Sequence, residues 1–208
     1  MCGRPLPNGN NPLNQSDALQ VSFRTRIAHQ ALRDLYDLWL WHSPPGGVMP
    51  RAALDPTTIP GMLKNLVLAD VGDAGKAISY RLVGTEIVAA HGFDFTGWTI
   101  ERLTSGPTLA FTQRLYGTVV QRAVPVYSEG RFRWEEKEFH WTKRLHLPLS
   151  RAADGRVDMV LVGQFYETRQ GPGELMLPAQ PDQLDADRLT LPDPSAEAGR
   201  AADPQSRP

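Results

Sequence analysis

The sequence predicts an α+β domain: one five-stranded antiparallel sheet with helices on one face, preceded by an amphipathic helix. Three observations predict it. Residues 24–41 carry a helical hydrophobic period. Two apolar runs joined by a short polar turn follow. Helical segments then lead into three further strand-like runs. Adjacent strands with short links argue for antiparallel pairing.

In the leading helix, Ile27, Ala31, Leu35 and Trp39 form one i, i+4 row, and Ala28, Leu32 and Tyr36 form the next. Arg26, Gln30, Arg33, Asp34 and Asp37 occupy the opposite side, giving one apolar stripe. The segment HSPPGG stops this helix. Leu38, Trp39, Leu40 and Trp41 follow one another, and four consecutive residues encircle most of a helix. At least one of them is left exposed or is covered by a second chain. Leu38, Trp39 and Trp41 are therefore expected at a homodimer interface.

Asp55-Pro56 and Ile59-Pro60 set up short turns, with Pro60 at the first position of a brief helix through Lys64. In the first, Asp55 is expected to cap the turn and Arg51 to neutralise a nearby acid or carbonyl. LVLADV (66–71) and AISYRLVG (77–84) read as a hairpin around GDAGK. Thr85 is expected to cap EIVAAH and Gly92 to end it.

SGP at 105–107 opens a longer helix, with Phe111, Leu115 and Val119 on its buried face. Strands are expected at 125–132, 139–147 and 157–167. In the second, Phe139, Trp141, Leu145 and Leu147 share one face, and His140, Thr142, Arg144 and His146 share the other. That second face reads as solvent-facing. In the third, Val157, Met159, Leu161, Gly163 and Phe165 share one parity.

The 7 Phe, 5 Trp and 5 Tyr all lie between Phe23 and Tyr166. Buried aromatics mark a core, and segments without them cannot offset the entropy of ordering. Residues 1–21 are therefore expected to be a disordered arm, 22–168 the domain, and 169–208 a disordered proline-rich tail. With a formal net charge of −1, a strongly basic nucleic-acid binder is excluded. No apolar run approaches the ~20 residues that cross a bilayer, and MCGRPLPNGNNPLNQS has no apolar stretch of a secretory signal. A cytoplasmic setting without membrane or nucleic-acid partners is expected.

Cys2 is the single cysteine, so a disulfide framework and a cysteine-rich zinc site are excluded. His140 and His146 lie ~20 Å apart along one strand, too far for one metal, and no metal site is expected. The serines have no GxSxG context and fall mostly at turns, so no catalytic residues are assigned. Tyr80 and Arg81 point to opposite faces of their strand. Either one presents a polar group to a cavity, with Arg81 as a fork for a carboxylate, or Arg81 pairs across strands with an acid.

Several blocks carry a family resemblance. They are Pro50-Arg51 followed by Leu54-Asp55-Pro56, then Met62-Leu63 with Leu66-Val67-Leu68-Ala69-Asp70-Val71, and Tyr80-Arg81-Leu82-Val83-Gly84-Thr85. With their spacing, they resemble short bacterial proteins, common in alphaproteobacteria, that consist of little but a PAS domain. The resemblance implies a sensory or regulatory module of signal transduction, not an enzyme. It binds a small ligand, a partner protein, or both; the alternatives are a ligand-free adaptor or dimerisation scaffold and, behind these, a small α+β enzyme.

The resemblance also implies a ligand held between sheet and helices. Phe111, Leu115 and Val119 would face Trp141, Leu145, Met159, Leu161 and Phe165, forming either a closed core or a small pocket. A small apolar or aromatic ligand is expected there, with Tyr80 and Arg81 as candidate polar contacts. Covalently attached flavin or thioester chromophores would need a cysteine within the domain. The helix at 107–123 has no histidine for haem. No cofactor is assigned, and output is expected through an unidentified signalling protein or a homodimer.

Overall fold

The computed structural model describes residues 23–132, 140–152 and 154–168. The arm at 1–21 and the tail at 169–208 lie outside the described residues. A helical turn at 23–26 precedes α1 (Gln30–His42) and a two-residue strand β1 (Met49–Pro50). Short 3-10 turns then lead to β2 (Leu66–Gly72) and β3 (Ala77–Val83). Helices α2 (Thr85–His91), α3 (Ile100–Leu103) and α4 (Gly106–Arg122) follow, and β4 (Val126–Phe132), β5 (His140–Ser150) and β6 (Met159–Thr168) complete the order.

The strands form one sheet, ordered β1-β5-β6-β2-β3, with β4 also paired to β5. The early hairpin joins the late trio through β2 and β6, from Leu66 opposite Gly163 to Asp70 opposite Met159. The five strands expected from the sequence are all antiparallel to their neighbours. The sixth, β1, is an addition: Met49 and Pro50 run parallel to Leu149 and Ser150. A Pro supplies no backbone donor, which suits an edge position.

The expected helix over 24–41 is interrupted. His29 has an extended backbone, and α1 begins only at Gln30. Tertiary partners hold the break open: the Tyr127 hydroxyl accepts from the Ala28 N–H at 3.1 Å, and Arg33 donates to the Ile27 carbonyl at 2.6 Å. These groups would otherwise be unpaired. Nearby, α2 also starts one residue differently. Gly84, not Thr85, is its N-cap, while Gly92 ends it in a left-handed conformation as expected. Asp55 does cap its turn, accepting from the Thr57 N–H at 2.8 Å.

Both faces of the sheet are covered. The later helices lie on one face; α1 covers the other, seating Leu32, Leu35, Tyr36 and Trp39 against Leu145, Leu147, Met159 and Leu161. On the opposite face, Phe111, Leu115, Tyr116 and Val119 of α4 pack toward Val67, Tyr80, Val126, Val160 and Val162. This double cover explains why β2 and β6 are apolar at both parities.

Two glycines set the spacing of these layers. At Gly163, an added Cβ would lie 2.6 Å from Leu32 Cδ2, so α1 rests directly on β6. At Gly75 the backbone φ is +89°, and an added Cβ would lie 2.5 Å from the Gly117 Cα of α4.

Candidate functional site

The double cover reassigns the expected site residues. Tyr80 points inward and is buried, and Arg81 points outward, as their adjacency on a strand demands. Arg81 Nη1 pairs with Asp70 Oδ2 at 3.1 Å, and Arg151 binds the other oxygen of the same carboxylate. Arg81 is thus an exposed cross-strand partner rather than a cavity group. Phe111, Leu115 and Val119 do face the interior.

Leu145, Met159 and Leu161 do not share that interior; they pack under α1. Phe165 packs on the same side, stacked against His29 at 3.9 Å between ring centres. Trp141 has their parity and donates its indole N–H to Glu129 at 3.3 Å. The error lies in the choice of face: the apolar parity of β5 and the odd parity of β6 face α1, leaving the mixed parity for α4.

The dimer residues separate similarly. Trp39 is buried and donates to the Pro148 carbonyl at 2.8 Å, so its side chain serves the fold and not an interface. Leu38 packs partly against the same cluster. Trp41 is 85% exposed.

The face toward α4 carries the polar groups. Thr142, Arg144 and His146 of β5 alternate with the leucines, and Ser128 of β4 is the register partner of Arg144. Thr142 and His146 are buried, which corrects the solvent-facing expectation for this face. His140 is described only in its backbone pairing. Thr142 Oγ1 donates to the Gly130 carbonyl and accepts from Arg144 Nη2, both at 2.9 Å. Gln164 donates to the Tyr166 hydroxyl at 2.5 Å.

Several groups remain unpaired. Ser128 Oγ and His146 Nδ1 are buried without hydrogen-bond partners among the described residues. Tyr80 and Tyr116 are buried residues of the same inner face. The Tyr116 ring meets His146 edge to face at 5.4 Å. An aromatic wall continues from Tyr80, which contacts Phe95 edge-on at 4.9 Å; Phe95 in turn lies 4.9 Å from His91.

Burial dominates the electrostatics here. It pushes the Tyr80, Tyr116 and Tyr166 hydroxyls well above the ordinary phenol range, keeping them protonated donors. It lowers Arg144, with the three tyrosines acting in the opposite direction. Burial, then the Arg144 charge, pushes His146 down to about 3, so the ring is neutral at physiological pH. Burial lowers His91 too, opposed by its 2.9 Å contact with the Ile87 carbonyl. Among the described residues no cluster of three His, Cys, Asp or Glu side chains could hold a metal.

Sequence reasoning missed Ser128, Arg144, His146 and Tyr166, because a strand alternating Leu with Arg and His reads as half exposed. The available signal was β6. Val160 and Val162 are as apolar as Met159 and Leu161, so both faces of the sheet had to be covered.

A family model described as PAS domain matches residues 27–163. No curated protein matches the chain. Among solved structures, the LOV protein of Rhodobacter sphaeroides is 15% identical; the match covers 57% of this chain and 71% of that one, with a TM-score of 0.41. An RNA-binding light-oxygen-voltage receptor is 16% identical, with 74% of this chain and 54% of that one covered and a TM-score of 0.38.

Proposed function

The chain belongs to the PAS domain family, and from that premise we propose that it is a non-catalytic sensory module. Its interior, between the sheet and α4, binds a small ligand, and its outer face relays occupancy to a signalling partner. One observation carries the reading. Ser128 Oγ and His146 Nδ1, on neighbouring strands of the inner face, are buried and have no hydrogen-bond partner among the described residues. Leaving a buried polar atom unpaired costs about 1–3 kcal/mol, a cost that a ligand supplying the missing partner removes.

The sheet itself supplies the relay. Inner Arg144 and His146 alternate along β5 with Leu145 and Leu147, which seat α1. A shift of β5 on ligand binding therefore moves the floor beneath α1. In this reading the module works in the cytoplasm; among the described residues no helix is long and apolar enough to cross a membrane. The exposed Trp41 at the end of α1 is the proposed contact for a second copy.

Native mass spectrometry of the full chain, purified without denaturation, tests the ligand. A reproducible extra mass that leaves on denaturation is expected. Repeated recovery of the bare chain, together with failure of any small molecule to raise its melting temperature, would make it a ligand-free adaptor.

A further inference from the structure

We propose that the interior site takes a small organic carboxylate, with Arg144 holding the anionic head and Phe95 and Phe111 facing the apolar body. This rests on the ligand-binding reading above and specifies its chemistry. The carrying observation is a half-buried cation on the inner face beside buried, unpaired polar atoms. Arg144 meets no Asp or Glu among the described residues, and the Ser128 Oγ across from it and the His146 Nδ1 on its own strand lack hydrogen-bond partners there.

The Arg144 guanidinium has five N–H donors, and among the described residues its one hydrogen bond goes to Thr142 Oγ1. The residue is only half-buried, yet desolvation is the largest influence on it. Tyr80 and Tyr116 belong to the cluster on the same face of the sheet, and burial keeps both hydroxyls protonated. His91 and His146 feel the Arg144 charge and are themselves held neutral.

The inner face thus sets one cation among hydroxyl-bearing side chains, and that cation forms no ion pair among the described residues. Ser128 Oγ, opposite Arg144 in register, and His146 Nδ1, two residues along, add unpaired capacity. Such a set favours a ligand that is negative and rich in acceptors. A carboxylate matches the planar fork of a guanidinium with two parallel hydrogen bonds, while Tyr and Ser hydroxyls complete its shell. A neutral ligand would leave the spare guanidinium donors without a charged acceptor. The aromatic wall beyond Tyr80 accounts for an apolar body.

Isothermal titration of the full chain with benzoate, and with benzamide as its uncharged counterpart, tests this. Benzoate is expected to bind at least about tenfold tighter than benzamide. Arg144→Met should erase that preference while leaving benzamide binding within about twofold, and Arg81→Met on the outer face should change neither. Should Arg144→Met fail to fold, Tyr116→Phe removes one donor without changing shape and should weaken benzoate more than benzamide. An organic acid released from the purified chain also supports the assignment. Equal affinities in the unmutated chain, or a co-purified molecule without an acidic group, overturn the carboxylate and leave ligand binding standing. Absence of binding by either probe, with no co-purified molecule, overturns both.

Discussion

Gly163 of β6 and Leu32 of α1 approach so closely that a methyl group at 163 would lie 2.6 Å from Leu32 Cδ2 and 2.8 Å from Leu35 Cδ2. Gly163→Ala must push α1 off the sheet or force both leucines from their rotamers. A destabilisation of about 1–3 kcal/mol is expected in urea denaturation. Combining it with Leu32→Ala should cost less than the sum of the two single changes. Strict additivity would mean that α1 does not rest on β6.

His146 makes stability depend on pH with a definite sign. Its folded value of about 3 lies below the ordinary 6.5. Between those values the unfolded chain binds more protons than the folded one. The contribution is therefore complete above about pH 6.5 and is lost as pH falls toward 3. Going from pH 7 to pH 5 should cost about 2 kcal/mol through this one residue. His29 and His91 are also lowered by burial and act with the same sign. In His146→Gln the acid loss measured by denaturation should be correspondingly shallower; an unchanged slope would remove His146 from the interior.

Arg144 is a half-buried cation that meets no acid among the described residues. Arg144→Met is expected to raise the stability of the ligand-free chain by about 1 kcal/mol or more, because an apolar side chain of similar length removes the desolvation cost. The same change should abolish stabilisation by benzoate. Thermal melts with and without benzoate read both effects. A less stable Arg144→Met would show that the guanidinium is already compensated.

Trp39 and Trp41 should respond oppositely to substitution. Trp39→Ala removes a buried ring and leaves the Pro148 carbonyl unpaired, for an expected loss of about 3–5 kcal/mol. Trp41→Ser should change stability by less than about 0.5 kcal/mol. If two copies pair through Trp41, light scattering should show Trp41→Ser shifting the chain toward the monomer mass. A mass that Trp41→Ser leaves unchanged excludes Trp41 as the contact.

The Asp70 cluster is on the outer surface, and Arg81→Ala should cost less than about 1 kcal/mol, diminishing in salt. Ligand-dependent stabilisation should be untouched. A loss of benzoate binding in Arg81→Ala would mean that the wrong arginine has been assigned.

Element order was legible because each element carried its own period: Leu32, Tyr36 and Trp39 for the helix, Phe111, Leu115 and Val119 for the next. Tyr80 and Arg81 were legible as an inward and an outward residue. The break at 27–29 was not, since it depends on Tyr127, ninety-nine positions away from Ala28. Nor was the side of the sheet that faces α4. The leucines of β5 named the side with the richest apolar packing, and that side belongs to α1. Arg144 looked solvated because a lone strand cannot reveal whether its polar side lies beneath a helix.

The meeting of Gly75 with Gly117 has a mechanical consequence. Close backbone contact seats α4 at Gly117 against the turn between β2 and β3, giving the helix a bearing there. A guest that crowds the Phe111 end is expected to tip the helix about that bearing, and the left-handed corner at Ala123 joins its far end directly to β4.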